Sequence, residues 1–304
     1  MLFCVMLHRL DVIAPRFAQW REHWRVLFLS RSLIVLLTKL FAWVLFAFGL
    51  LTIITTVRIV IRTYSPVLFW DQWQIIHTLM ESGGHPSLRQ LWAQHNEHRL
   101  LMGRLLGFID LFFFRGRNVS LFAEILVVQL CHVILLAFVL RRFGRLPWPV
   151  YVTLVGFVAY CLFSPLQMEN FDWAFQIVFV LANFAASVCF ATALWYSQQN
   201  STSNSWRKFL ALMLCLFAAF VSEASEAYGL LVWPVLLFLS FALRFRWRDR
   251  WIIAVASSAA CHLPGRLRIA KPSELANERP QPATGPVEIC SYLPGQQLGR
   301  TFAQ

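Results

Sequence analysis

Leu33-Ile-Val-Leu-Leu-Thr-Lys-Leu-Phe-Ala-Trp-Val-Leu-Phe-Ala-Phe-Gly-Leu-Leu-Thr-Ile-Ile-Thr-Thr-Val57 is an apolar run with a single charge, Lys39. A helix needs about 20 apolar residues to cross the hydrocarbon core of a bilayer. This run is long enough, and Lys39 can snorkel near its inner end. Similar runs cover about Val119 to Leu140, Pro149 to Phe163 and Trp173 to Tyr196. Phe209 to Leu243 is too long for one helix. Ser222-Glu223-Ala224-Ser225-Glu226 interrupts it and predicts two spans joined by an acidic turn. A short seventh span covers about Trp251 to Leu263. The expected fold is all-α: a polytopic integral membrane bundle of about seven transmembrane helices.

Composition agrees. Of 304 residues, 58% are hydrophobic and 14% charged, and the mean hydropathy is +0.58. Soluble domains carry roughly 25% charged residues. A soluble enzyme, a disordered chain and a disulfide scaffold are thereby excluded. Five of the seven cysteines, at positions 131, 161, 189, 215 and 261, fall inside predicted spans, with no Cys-x-x-Cys. They read as small buried apolar residues.

The net charge of +12 is a topology signal. Arg9, Arg16, Arg21, Arg25 and Arg31 precede the first span. Arg141, Arg142 and Arg145, then Arg207 and Lys208, then Arg244, Arg246, Arg248 and Arg250 fill alternate loops. Basic loops stay in the cytoplasm. With Lys39, these inner segments hold 15 bases against Asp11, Glu22 and Asp249, and the remainder is neutral. The excess is therefore no evidence for nucleic acid, and the expected partner is the lipid bilayer. Residues 1–32 read as a cytoplasmic basic and aromatic segment. Residues 33–263 read as the membrane bundle, with a long first periplasmic loop over 63–118. Residues 264–304 read as a polar periplasmic tail, too polar to span, and this predicts truncation at the C-terminus. The expected location is the bacterial inner membrane, multi-pass, with the N-terminus in the cytoplasm.

The outer loops carry the polar chemistry. Carboxylates near hydrocarbon are costly unless hydrated or paired, which makes them functional candidates. Asp71 sits between Trp70 and Trp73, which can seat it at the interface. There it can take a proton from a sugar hydroxyl or bind a cation, and it can also cap a helix over Gln72 to Glu81. In His95-Asn96-Glu97-His98-Arg99, His95 shares a face with His98 or Arg99 if the segment is helical. The His-Glu-x-x-His spacing of zinc sites is missing. Arg99 and Arg104 read as anion binders, because a guanidinium can fork onto phosphate. Glu169, Asp172, Glu223 and Glu226 lie on two further outer loops. Arg104 to Arg117 reads as an interfacial helix in which Asp110 pairs with an arginine. Glu124 and His132 fall within the second span, where ionisable groups usually face the bundle interior. Asn118-Val-Ser120 and Asn200-Ser-Thr202 match the glycosylation pattern.

Several of these stretches together carry a resemblance. They are Trp70-Asp71-Gln72-Trp73, Gln94-His95-Asn96-Glu97-His98-Arg99, Glu169-Asn170-Phe171-x-Trp173-x-Phe175-Gln176 and Tyr228-Gly229-Leu230-Leu231-x-Trp233-Pro234. The chain resembles a group of bacterial inner-membrane proteins that in turn looks like the GT-C superfamily of polytopic glycosyltransferases. The resemblance implies transfer of a sugar from a polyprenyl-phosphate donor to a glycan or lipid acceptor at the periplasmic face. It implies Asp71 as the base, with Glu97 as a second acid, and Arg99 or Arg104 on the donor phosphate. Glu97, Glu169 and Asp172 would bind sugar hydroxyls or a divalent cation. Trp70, Trp73 and Trp173 would stack on sugar rings. His95, Asn96, His98 and Gln176 would complete the substrate contacts. Two other readings stand beside it: a transporter or flippase for a lipid-linked sugar or ion, motivated by Glu124 and His132, and an inactive fragment.

Overall fold

The computed structural model describes residues 31–95, 98–199 and 205–262. The N-terminal basic segment, Asn96, Glu97, Asn200 and the tail from Pro264 lie outside them. Helix α1 spans Arg31–Thr63. A 3-10 turn over Trp70–Gln72 leads into α2, Trp73–Glu81, followed by the short α3, Leu88–Leu91. Strands β1, Gln94–His95, and β2, His98–Arg99, form one antiparallel ladder. The helices α4 (Leu101–Phe114), α5 (Val119–Phe143), α6 (Trp148–Leu162) and the single turn α7 (Glu169–Asp172) follow. Then come α8 (Ile177–Ser197), α9 (Ser205–Ser225), α10 (Val232–Ala242) and α11 (Trp247–His262).

Five helices among the described residues are long and apolar enough to cross a membrane: Leu33–Thr63, Val119–Phe143, Trp148–Gln167, Ala174–Ser197 and Trp206–Ser225. The other two of the seven expected spans fall short of this criterion. Helix α10 has 11 residues. With the 3-10 turn before it, the apolar helix covers Ala227–Ala242, still short of the about 20 residues that a span needs. Helix α11 carries Arg248, Asp249 and Arg250 in its first turn, which shortens its apolar part. The acidic interruption also shifts. Ser222 to Ser225 remain helical, and the break falls at Glu226, whose backbone is extended. Glu226 then caps the 3-10 turn Ala227–Leu231 through a bond from the Ala227 N–H, 2.9 Å.

Lipid is as apolar as a leucine side chain, so helices in a bilayer associate by close packing. Helix α1 lies along α6 where Gly49 meets Gly156. A Cβ on Gly49 would come within 2.4 Å of the Gly156 carbonyl oxygen. One face of α1 is closed this way. The other exposes Leu36, Phe41, Val44, Phe48 and Ile61, as a lipid-facing surface does. Near its C-terminal end, Thr56 donates to the Phe163 carbonyl, 2.8 Å, so α1 and α6 run parallel.

Helices α8 and α9 run antiparallel through small residues. Ser222 donates to the Ala182 carbonyl, 2.9 Å, and the Cys189 and Cys215 sulfurs are 3.5 Å apart. Ala185, Ala193, Ala211 and Ala219 are buried. Both thiols are free, as are Cys131 and Cys161. Helix α5 packs against α6 and α8: Gln129 donates to the Leu162 carbonyl, 3.2 Å, and His132 Nε2 meets Ser187 Oγ, 2.7 Å.

These pairings gather the C-terminal ends of α1, α6 and α9 with the N-terminal ends of α5 and α8. The opposite end carries the basic turns. There Arg141 lies over Tyr151, and Arg250 over Phe241 at 4.9 Å.

Candidate functional site

Asn118 organises the first loop. Its backbone is left-handed, φ 61°, and it is 2% exposed. It accepts a bond from Gln72 Nε2, 2.8 Å, and donates to the Val67 carbonyl, 3.1 Å. Its own N–H bonds to Asp110, 2.7 Å. The Ser120 N–H and hydroxyl also bond to Asp110, each at 2.9 Å. Asp110 thus satisfies free donors at the start of α5, where negative charge is favoured by the helix dipole. It pairs with the helix start and not with the arginine expected from the sequence. Burial and these bonds also remove Asn118 as a glycan acceptor.

The Gln72 side chain reaches back to the Phe69 N–H, 3.0 Å, and closes the turn that carries Trp70 and Asp71. Phe69 takes the N-cap position of that turn, and Asp71 sits inside it. The expected helix cap at Asp71 is therefore corrected. Trp70 is held at φ 47°, a conformation that side chains with a Cβ seldom adopt.

Trp70 then meets Trp173 from the loop after α6. Their ring centres are 6.0 Å apart at 87°. Phe69 stacks on Trp70 at 5.1 Å, and Trp173 stacks on Phe175 at 5.3 Å. Beside this aromatic wall lies a cleft of about 540 Å³, lined by Ser65, Val67, Phe69, Trp70, Gln72, Asn118, Phe122, Glu169, Asp172, Trp173 and Ala174. This volume falls in the range of small-molecule sites. Glu169 and Asp172 lie at i and i+3 on α7, and both are exposed.

Four of the expected site residues, Trp70, Glu169, Asp172 and Trp173, therefore come together from loops far apart in sequence. Asp71 is half-buried next to the cleft wall. Trp73 is exposed and Gln176 is buried, and neither lines the cleft.

The arginines form a second group. The helical face expected for His95 with Arg99 is replaced by a strand pair, with Gln94 opposite Arg99 and His95 opposite His98. Arg99 donates to the Trp92 carbonyl, 2.7 Å, with its guanidinium 5.5 Å from the Trp92 ring centre. Trp92 stacks in turn on Phe220 of α9, 6.1 Å at 6°. Arg104 is buried and donates to the carbonyls of Leu91, 2.8 Å, and Ala93. Burial, and then the Arg99 charge, lower its pKa from the ordinary arginine value. In this arrangement Arg104 ties the loop to α4, and Arg99 is the more open of the two.

A third group sits at the end of α9. Trp233 Nε1 donates to Glu223, 2.8 Å. Tyr228 donates to the Phe179 carbonyl and accepts from Asn183, each at 3.0 Å. Among the described residues, no group of three or more His, Cys, Asp or Glu side chains could hold a metal ion.

Sequence reasoning missed Asn118, Gln72 and Asp110 as the supports of this face. The signal for the first was present: Asn118 and Ser120 stand at the entry to an apolar run, a helix-start pattern. No family model, no curated protein and no solved structure matches the chain. The likeness to GT-C glycosyltransferases rests on the motif residues alone.

Proposed function

We propose that this is a membrane glycosyltransferase-like protein of the bacterial inner membrane, with its N-terminus in the cytoplasm and its site at the periplasmic face. It transfers a sugar from a polyprenyl-phosphate donor to a glycan or lipid acceptor. The observation that carries this reading is the cleft shared by Trp70, Trp173, Glu169 and Asp172 at one end of the bundle, next to Asp71. Asp71 would take the proton of the acceptor hydroxyl as that oxygen attacks the sugar, with inversion. Arg99 would stabilise the departing polyprenyl phosphate, with Arg104 behind it. Glu97 belongs to the same loop and would act as a second acid or hold a divalent cation. His95, Asn96, His98, Trp73 and Gln176 remain proposed substrate contacts.

The basic turns at the opposite end support this orientation. The test is transfer from radiolabelled polyprenyl-phosphate sugar in right-side-out and inverted membrane vesicles, with a water-soluble acceptor outside. Transfer in right-side-out vesicles is expected. Transfer confined to inverted vesicles, or absent from both, overturns the reading.

A second reading, as a transporter or flippase, is favoured by one observation. Glu124 Oε2 and His132 Nδ1 are buried in α5 with no hydrogen-bond partner among the described residues. Flux lost on Glu124→Gln, without transfer chemistry, would select it.

A further inference from the structure

The cleft has a one-sided chemistry. Among the described residues its lining includes two carboxylates, Glu169 and Asp172, and no lysine, arginine or histidine. Both carboxylates lack a protein partner among the described residues. The polar amides in the wall are already engaged, because Gln72 and Asn118 bond to each other. Recognition by charge therefore falls to the two acids, with the Ser65 hydroxyl beside them in the lining. The third element is a free aromatic face. Trp70 is 70% exposed although it is stacked on Phe69 and lies perpendicular to Trp173. Arg99 and Arg104 lie outside the lining, so no described cation stands in the cleft to hold a phosphate.

We propose that this cleft is the acceptor subsite and that it takes a carbohydrate without anionic groups, an amine-bearing sugar binding best. The proposal rests on the glycosyl-transfer reading for the word acceptor, and on the cleft itself for the ligand chemistry. The apolar face of a sugar ring packs on the Trp70 indole, while its hydroxyls donate to Glu169 and Asp172. An ammonium group gains twice: it is attracted by the carboxylates and by the negative face of the indole. A phosphate or uronate meets like charge at Glu169 and Asp172. The donor phosphate and the acceptor are thus sorted to different residues, the arginine hairpin and the acidic cleft.

The test is calorimetric titration of the purified full chain in detergent with three tetrasaccharides: glucosamine, N-acetylglucosamine and galacturonic acid. The glucosamine tetramer is expected to bind at least tenfold tighter than its acetylated form, and galacturonate is expected not to bind. The double change Glu169→Gln with Asp172→Asn should abolish the tenfold preference and change binding of the acetylated tetramer less than threefold. Trp70→Ala should weaken both. Raising salt on the unaltered protein, which needs no variant to fold, should shrink the amine preference by screening. Equal binding of galacturonate, a preference that survives the double change or high salt, or no binding of any tetramer overturns the proposal. Binding as expected in a protein that transfers no sugar would sink the transfer reading and leave the subsite. Transfer that is indifferent to both cleft variants would do the reverse.

Discussion

Gln72 and Asn118, far apart in sequence, share a buried hydrogen bond of 2.8 Å, and that bond fixes the wall of the cleft. Gln72 closes the turn that holds Trp70 at positive φ, and Asn118 starts α5. The loop and the bundle are joined at this point. Asn118→Ala removes the acceptor for Gln72 and the donor to Val67, leaving buried amide groups unpaired. A loss of about 1–3 kcal/mol is expected. Thermal unfolding in detergent measures it, and Trp70 should become more accessible to a fluorescence quencher.

Asp110 holds the start of α5 by accepting three bonds, two from backbone N–H groups and one from the Ser120 hydroxyl. Bonds to a charged acceptor are stronger than neutral ones. Asp110→Ala should therefore destabilise the protein by about 2 kcal/mol or more. Asp110→Asn, which keeps an acceptor, should cost less. An arginine change such as Arg115→Gln should leave stability within about 0.5 kcal/mol, because the carboxylate is occupied by the helix start. The same unfolding series reads all three.

The membrane-spanning part of the architecture is largely legible in the sequence because it depends on length and apolarity. The runs around Val119, Pro149 and Trp173 become α5, α6 and α8 within a few residues. The differences elsewhere have physical causes. Helical spacing would place His95 and Arg99 on one face, but two short antiparallel strands satisfy the same segment locally. The stretch Ser222-Glu223-Ala224-Ser225-Glu226 reads as an acidic turn between two spans. Glu223 instead stays helical because Trp233 satisfies it, and the chain turns only at Glu226. Asp110 reads as an ion-pair partner because sequence spacing shows nearby arginines and cannot show the free N–H groups of a helix start. In the site, Trp70 and Trp173 are legible singly, while their meeting is not. It depends on the Phe69–Gln72 turn and on Asn118, which only the fold brings together.

Gly156 admits the backbone of α1, since a Cβ there would lie 2.6 Å from the Leu45 carbonyl oxygen. Gly156→Leu should force the helices apart and cost about 1–3 kcal/mol, the usual range for overpacking. A lower unfolding temperature with unchanged helical content by circular dichroism is the expected outcome. The α8–α9 contact should be unaffected.

The Glu223–Trp233 bond couples α9 to the start of α10. A double-mutant cycle with Glu223→Gln and Trp233→Phe isolates it. Hydrogen bonds between helices in a membrane average about 0.6 kcal/mol in such cycles. A coupling of about 0.5–1.5 kcal/mol is expected, and a value near zero would make Glu223 available for another role.

Asp71, on the turn beside the cleft, is the proposed base for sugar transfer at this face, and the whole functional reading turns on it. The initial rate of transfer from radiolabelled polyprenyl-phosphate sugar, compared between the unaltered protein and Asp71→Asn at equal membrane abundance, tests it most directly. A loss of about 100-fold or more is predicted, the usual contribution of a positioned base. Equal rates in the two proteins would contradict it.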